Sequence, residues 1–412
     1  GVEEAEADVL AAFHLDHGSL FDRAAVTDLT TVYLDHGATS FPKAPGVVEA
    51  MRRFIEREAG NPGRGGHRLT LAASRSIEAA RERIAGLLGG EPERTLLGPG
   101  ATFWINTVLS SVLGPGDRAV TSALEHNAVM RALRHLEATR GVEVSVVDGS
   151  SDIGVPTPDE IAARVAESAT ALVVLTHASN VSGAVLPVVD VARAVAPVPL
   201  LVDAAQTAGS IPLDFASMGV AALTCSGHKG LLGPPGVGVL LLADGFEVQP
   251  LVRGGTGSRS ESERMPEHLP DRLEAGTANG ACIAGLGAAC AWLADRTVAE
   301  VAAHEQRLVG QLASGLVRIR GVHLHGWRAE LPHVGLLSFT VDRADTGAVA
   351  TWLDRERGIC VRAGLHCAPA AHRRLGTFPS GSLRAGVGPF TTESDIGALV
   401  DAVGSAVEDL RR

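Results

Sequence analysis

"PLLVDAAQTAGSIPLDFASMGVAALTCSGHKGLLGPPGVGVLLL", residues 199–242, contains three apolar runs separated by turn-forming residues, with polar side chains at the ends of the first two. The runs 199–205, 221–228 and 236–242 are short, aliphatic and too continuously apolar for half-exposed strands. Strands buried on both faces by helices have this composition, so the stretch predicts the interior of a mainly parallel sheet. In such sheets ligands bind beyond the carboxyl ends of the strands. That rule selects Asp203 and Gln206 after the first run, and Ser226, His228 and Lys229 after the second.

Outward from this centre the same alternation of apolar runs and helical periodicity extends from residue 33 to residue 242. Further strands are predicted at 118–123, 142–147 and 171–177, and a helix at 76–88 shows Ile77, Ala80, Ile84 and Leu87 on one face before Gly89 and Gly90. A polar stretch, 253–272, reads as a long surface loop, and a second α/β region with strands near 335–341 and 358–364 follows it. The expected fold class is α/β, a doubly wound sheet in a large domain (31–295) with a smaller α/β C-terminal domain (296–412). Residues 1–30 are expected to form an arm packing on the small domain.

The formal charge of −11, from 36 basic against 47 acidic residues, argues against nucleic acid and anionic membranes as partners. Cysteines at 225, 282, 290, 360 and 367 form neither a CxxC pair nor a secreted disulfide framework. With an acidic rather than basic start to the sequence, they suggest a cytoplasmic setting. Residues 275–294 carry no charge, but their Gly, Ala, Thr and Asn content fits a buried helix better than a membrane span. Only Lys43 and Lys229 supply amines, which narrows the search for a lysine with a chemical role.

The remaining strand ends extend the constellation. Residues 97–109, "LGPGATFWINTVL", place amides of Gly100, Ala101 and Thr102 at a helix N-terminus, a seat for phosphate or an ordinary helix cap. Asn180 follows the strand at 171–177, and alone it reads as a turn residue. A buried lysine is costly unless it forms an imine or has a depressed pKa, and a carboxylate leaving a buried strand needs a cation or several donors. Lysine, carboxylate and phosphate ligands together meet the needs of pyridoxal 5'-phosphate, whose aldehyde, ring nitrogen and phosphate they would hold. His126, after another strand end, is placed to lie on the ring.

At these residues the sequence resembles the class V aminotransferase family of fold-type I pyridoxal phosphate enzymes. Within it, "SGHKGLLGPPGVGVL", "LEHNAVMRAL", "SNVSGAVLP", "RAGLHCAP" and "GSLRAGVGPF" resemble the group II cysteine desulfurases and selenocysteine lyases. The resemblance implies that Lys229 carries the cofactor, Asp203 meets its ring nitrogen, Gln206 its phenolic oxygen and His126 its ring face. Ala101, Thr102, Ser226 and His228 fall to the phosphate, and Asn180 and Arg384 to the substrate carboxylate, with Arg362 lining the pocket. It further implies a homodimer in which Thr277 and the segment around His67 reach the partner's site.

Cys367 is then implied as the nucleophile, taking sulfur from L-cysteine as a persulfide, releasing L-alanine and passing the sulfur to an acceptor protein or small thiol. Cationic neighbours, Arg362 or a protonated His366, are expected to favour its thiolate. The residues alone leave Cys367 open as nucleophile, metal ligand or small buried thiol. Cys360, His366, Cys367 and His372 lack the paired short loops of a structural zinc site. The chain departs from its relatives at His36, Gly37, Leu365 and Thr391, which bears on substrate choice. A selenocysteine lyase, or a C–S lyase acting on cysteine conjugates, is the alternative on the same scaffold.

Overall fold

In the computed structural model, residues 31–63, 66–259 and 261–409 are described, so the expected arm at 1–30 lies outside the described residues. The strands are β1 (Val32–Tyr33), β2 (Thr95–Gly98), β3 (Arg118–Ser122), β4 (Glu143–Val147), β5 (Leu172–Thr176), β6 (Leu200–Asp203), β7 (Ala222–Ser226) and β8 (Gly238–Leu242). They continue with β9 (Val322–His325), β10 (Leu336–Val341), β11 (Ile359–Cys360), β12 (Arg362–Gly364) and β13 (Ser382–Gly386).

A seven-stranded sheet has the order β2-β8-β7-β6-β5-β3-β4, and β7, β6, β5, β3 and β4 run parallel. The third run of the opening stretch, β8, is antiparallel to both its neighbours, which its composition did not reveal. The unbroken apolar character of the strands has a direct cause. In β5, Val173 and Leu175 pack into one fully buried cluster while Leu172 and Val174 pack into another, and β6 splits Val202 from Leu201 in the same way. Successive side chains point to opposite faces, and both faces are covered.

The second body has an antiparallel sheet, β12-β13-β10-β9, and its own core under the helices Val298–Leu316, Thr346–Arg357 and Glu393–Asp409. The run predicted at 358–364 is divided between two sheets, β11 pairing with β1 and β12 with β13. Leu34 joins this second core, so the first described residues belong with the end of the chain. The uncharged stretch forms the helix Gly280–Arg296, packed on the helix Arg68–Leu88. Its small residues let the two approach: a Cβ at Gly287 would lie 2.6 Å from that of Ala80. No single described helix is long and apolar enough to cross a membrane.

Candidate active site

Because β3, β5, β6 and β7 are parallel, their carboxyl ends at Ser122, Thr176, Asp203 and Ser226 share one edge of the sheet, and antiparallel β8 begins there. Gly238, its first residue, lies so close to the loop before the helix Ala101–Val112 that a Cβ would meet the Gly100 Cα at 2.4 Å. This helix has no side-chain cap, whereas His126, Thr157 and Asn279 cap theirs. The first amides, at Ala101 and Thr102, therefore keep unspent donors and the positive end of the helix dipole.

Asp203 is buried at the end of β6, and its Oδ1 accepts the Ala205 N–H at 3.0 Å. Burial pushes its pKa up, and the Lys229 charge with that amide pulls it back. Lys229 is desolvated and lowered to about 8, with Asp203 opposing the shift and Arg384 reinforcing it. The neutral amine is therefore far more accessible near neutral pH than in an ordinary lysine, although the protonated form still predominates. His126 accepts the Ala128 N–H on Nδ1 at 3.0 Å and is lowered to about 4 by burial and by the Lys229 charge. It is a neutral ring whose proton sits on Nε2.

His228 contacts Thr39 Oγ1 through Nδ1 at 3.1 Å. Its carbonyl is held by Lys43, which also donates to Thr39 Oγ1 and Ser40 Oγ at 3.2 and 3.1 Å. The second lysine of the chain thus anchors the backbone next to the first. Gln206 Nε2 donates to the Gly37 carbonyl at 3.0 Å, tying β6's loop to the segment after β1.

Arg384, on β13 and 2 % exposed, crosses from the second body into this edge. Its Nη1 donates to the Asn180 carbonyl at 2.7 Å and its Nη2 to Asp35 Oδ1 at 3.1 Å, while Arg362 Nε reaches Asp35 Oδ2 at 3.0 Å. Asp35 is a site residue that sequence reasoning missed. Its signal, a carboxylate in "YLDHG" just after a short apolar run, is too short to stand out. Arg384 Nε and Asn180 Oδ1 are buried without a hydrogen-bond partner. Groups of this kind in a native fold call for a ligand or water.

Cys367 is exposed, at the tip of a turn in which both His366 and Cys367 are left-handed, with φ of 48° and 58°. Such conformations in residues other than glycine cost about 1–3 kcal/mol each and persist only where neighbours over-determine them. The clamps are visible: Asn180 Nδ2 donates to the His366 carbonyl at 2.6 Å and the Asn127 N–H to the Cys367 carbonyl at 2.7 Å. His366 is buried and lowered to about 2, by burial and by the Arg384 charge, so it is not the cation expected beside the thiol. It serves as a neutral strut, Nε2 meeting Ser382 Oγ at 3.2 Å. His372 is buried against Thr377 Oγ1 at 2.7 Å. Among the described residues no group of three or more His, Cys, Asp or Glu side chains is placed to hold a metal ion.

Glu125 is a second missed residue, fully buried behind the site. It accepts from Ser122 Oγ at 2.6 Å and from the Thr176 N–H at 2.9 Å, and burial raises it to about 8, so it is protonated at neutral pH. Thr102, Thr277 and His67 are exposed. Among the described residues no side-chain hydrogen bond ties Thr277 or His67 to the Lys229 cluster, His67 instead capping the helix Arg68–Leu88.

The sequence profile of the aminotransferase class-V family matches residues 32–399. A probable cysteine desulfurase of Pseudomonas aeruginosa is 35% identical over 409 residues, covering 95% of this chain and 97% of the relative. The cysteine desulfurase CsdA of Escherichia coli is 32% identical over 392 residues, covering 92% and 94%. Among solved structures, the apo cysteine desulfurase of Thermococcus onnurineus superposes with a TM-score of 0.86 at 27% identity, over 92% of this chain and 95% of that one. Escherichia coli CsdA, in its S-sulfonic acid form, gives 0.82 at 29% identity, over 94% and 97%.

Proposed function

The chain belongs to the aminotransferase class-V family, whose members are pyridoxal phosphate enzymes, and from that premise we propose that it is a cysteine desulfurase converting L-cysteine to L-alanine. One observation carries the assignment of the thiol: Asn180 binds the turn that presents exposed Cys367 and, through its own carbonyl, the buried Arg384. A carboxylate-binding cation and a reactive sulfur are thereby held by one residue.

The residues present fit the cofactor. An uncapped helix N-terminus with Ser226 and His228 nearby suits its phosphate, buried Asp203 suits a protonated ring nitrogen, and the desolvated amine of Lys229 suits its aldehyde. Gln206 and the unpartnered Asn180 Oδ1 remain for its other polar edge. Bound there, pyridoxal phosphate supplies an electron sink for carbanion chemistry at the amino acid.

The protein's own groups divide the rest. Arg384 and Asn180, with Arg362 at the mouth, hold the substrate carboxylate, the planar guanidinium favouring a bidentate pair. Lys229, partly neutral, accepts the α-proton at Nζ and returns it later, and neutral His126 offers its Nε2 proton to the same region. The Cys367 thiolate attacks the substrate sulfur: a new S–S bond forms at Sγ as the carbon–sulfur bond breaks. The residual carbon skeleton, once protonated, leaves as alanine. The persulfide on Cys367 is then discharged to an acceptor thiol.

The same reading takes the chain as two domains, 31–295 and 296–412, in a cytoplasmic homodimer, with Thr277 and His67 turned toward the partner's site. Exposed Ile55, Leu69 and Leu71 lie near His67 in sequence and favour a covered face. Sedimentation of the purified chain tests the dimer.

The deciding experiment is turnover of L-cysteine, L-selenocysteine and cysteine S-conjugates, with mass spectrometry of Cys367. An added sulfur on Cys367 and stoichiometric alanine are expected from L-cysteine. Turnover of the other substrates alone would reassign the enzyme as a selenocysteine or C–S lyase. Borohydride should fix a pyridoxyl group on Lys229 in the native chain and none in Lys229→Ala.

A further inference from the structure

A groove of about 750 Å³ runs from the base of the Cys367 turn between two helices, Asn127–Arg140 and Pro369–Arg374. Its floor is apolar, from Met130, Val146, Pro369 and Ala370, and its rim carries Arg131, Arg134, Arg373 and Arg374 against the single carboxylate of Asp148. The groove is attached to the reactive turn at both sides. The Asn127 N–H that opens one helix holds the Cys367 carbonyl, and Pro369, two residues beyond Cys367, opens the other.

The rim charge is only partly spent. Arg134 pairs with Glu137 at 2.8 Å. Arg374 is bonded to the neutral backbone carbonyls of Asp148, Gly149 and Ser151, which orient it without cancelling its charge. Arg373 lies over the Phe378 ring at 4.4 Å. In a chain of net charge −11, a cluster of guanidiniums around an apolar floor, next to an exposed cysteine, is a local inversion of the molecule's field. Arginine and methionine around an apolar centre are also the composition of protein interfaces.

We propose that this groove docks an acidic segment of a protein whose own cysteine takes the sulfur from Cys367. The step rests on the desulfurase reading above and is redox-neutral. The partner's thiolate attacks the outer sulfur of the Cys367 persulfide, a new S–S bond forms on the partner, the bond to Cys367 Sγ breaks, and Cys367 leaves as the thiolate. Charge complementarity makes the encounter fast and sensitive to salt.

The test uses the full-length holoenzyme and two synthetic peptides, each with one cysteine, flanked in one by glutamates and in the other by lysines. Sulfur transfer from L-cysteine-loaded enzyme is followed by mass spectrometry, and binding of the fluorescently labelled peptides by anisotropy. The glutamate peptide should be sulfurated at least tenfold faster than the lysine peptide, and the preference should vanish in Arg134→Glu/Arg373→Glu while alanine release with dithiothreitol is unchanged. An equal rate for both peptides, or a preference that survives the double substitution, overturns the proposal. So does an arginine dependence shown by glutathione and not by the peptide, which would make the groove a small-anion site. If Cys367 never acquires sulfur, the desulfurase reading fails while anisotropy still decides the groove: binding of the glutamate peptide that the double substitution removes supports it, and its absence refutes it.

Discussion

Asp35 grips Arg384 and Arg362 at once, one carboxylate oxygen to each, at 3.1 and 3.0 Å. A residue beside β1 therefore orients two cations contributed by β12 and β13. Asp35→Asn removes the charge that fixes both guanidiniums and should raise KM for L-cysteine about tenfold, or about 1.4 kcal/mol, with a smaller change in kcat. An unchanged or lower KM in steady-state kinetics would show that Asp35 competes with substrate instead of orienting its receptor.

Cys367→Ser keeps the turn and its clamps, because those are made by backbone carbonyls of His366 and Cys367. Alanine formation should fall by roughly two orders of magnitude or more, the scale seen when a nucleophile is removed, with cofactor content unaltered. Full alanine production by the variant would refute the role given to this thiol.

Gly238→Ala drives a methyl group into the Gly100 backbone, where neither side can yield as a flexible side chain would. Overpacking of this kind costs about 1–3 kcal/mol. A lower denaturation midpoint together with weaker retention of pyridoxal phosphate is expected, because the displaced loop carries the uncapped amides.

Stability should peak near the ordinary histidine pKa. His126, His177, His228, His366 and His372 are all lowered by burial, to about 4 or, for His366, about 2. The unfolded chain therefore binds more protons as pH drops below about 6.5, and stability is lost over that range. Glu125 and Glu305 are raised by burial to about 8, so their contribution is full below the unfolded carboxylate pKa and lost as pH rises through 8. Thermal melts of the apo chain across pH should show both limbs, and Glu305→Gln should flatten the upper one.

Much of this was legible in the chain because the apolar runs of β5, β6 and β7 are buried on both faces and the polar residues follow them directly. Lys229 stood out for a compositional reason, being one of two lysines. What escaped the sequence depends on distant pairing. The reversal of β8 leaves no mark on a strand covered on both sides, and Asp35 matters only because β1 is brought to β11 and β13. Glu125 was hidden by its neighbour: in "LEHNA" the histidine carries the chemical signal, while the glutamate is silenced by protonation. His366 was misjudged as a cation because adjacency to cysteine says nothing of burial.

The chain enters the second core at Leu34, leaves for the large sheet, and comes back with the helix Val298–Leu316. The two bodies are consequently joined by two covalent straps instead of one. The core of the second body is thus built from both ends of the described chain, with the whole large sheet threaded between them. The Cys367 turn lies where these two cores meet: Ala363, just before it, packs against the second core, while Ala368 and Ala371, just after it, are buried in the core of the large sheet, so the thiol stands on a seam that both bodies hold in place.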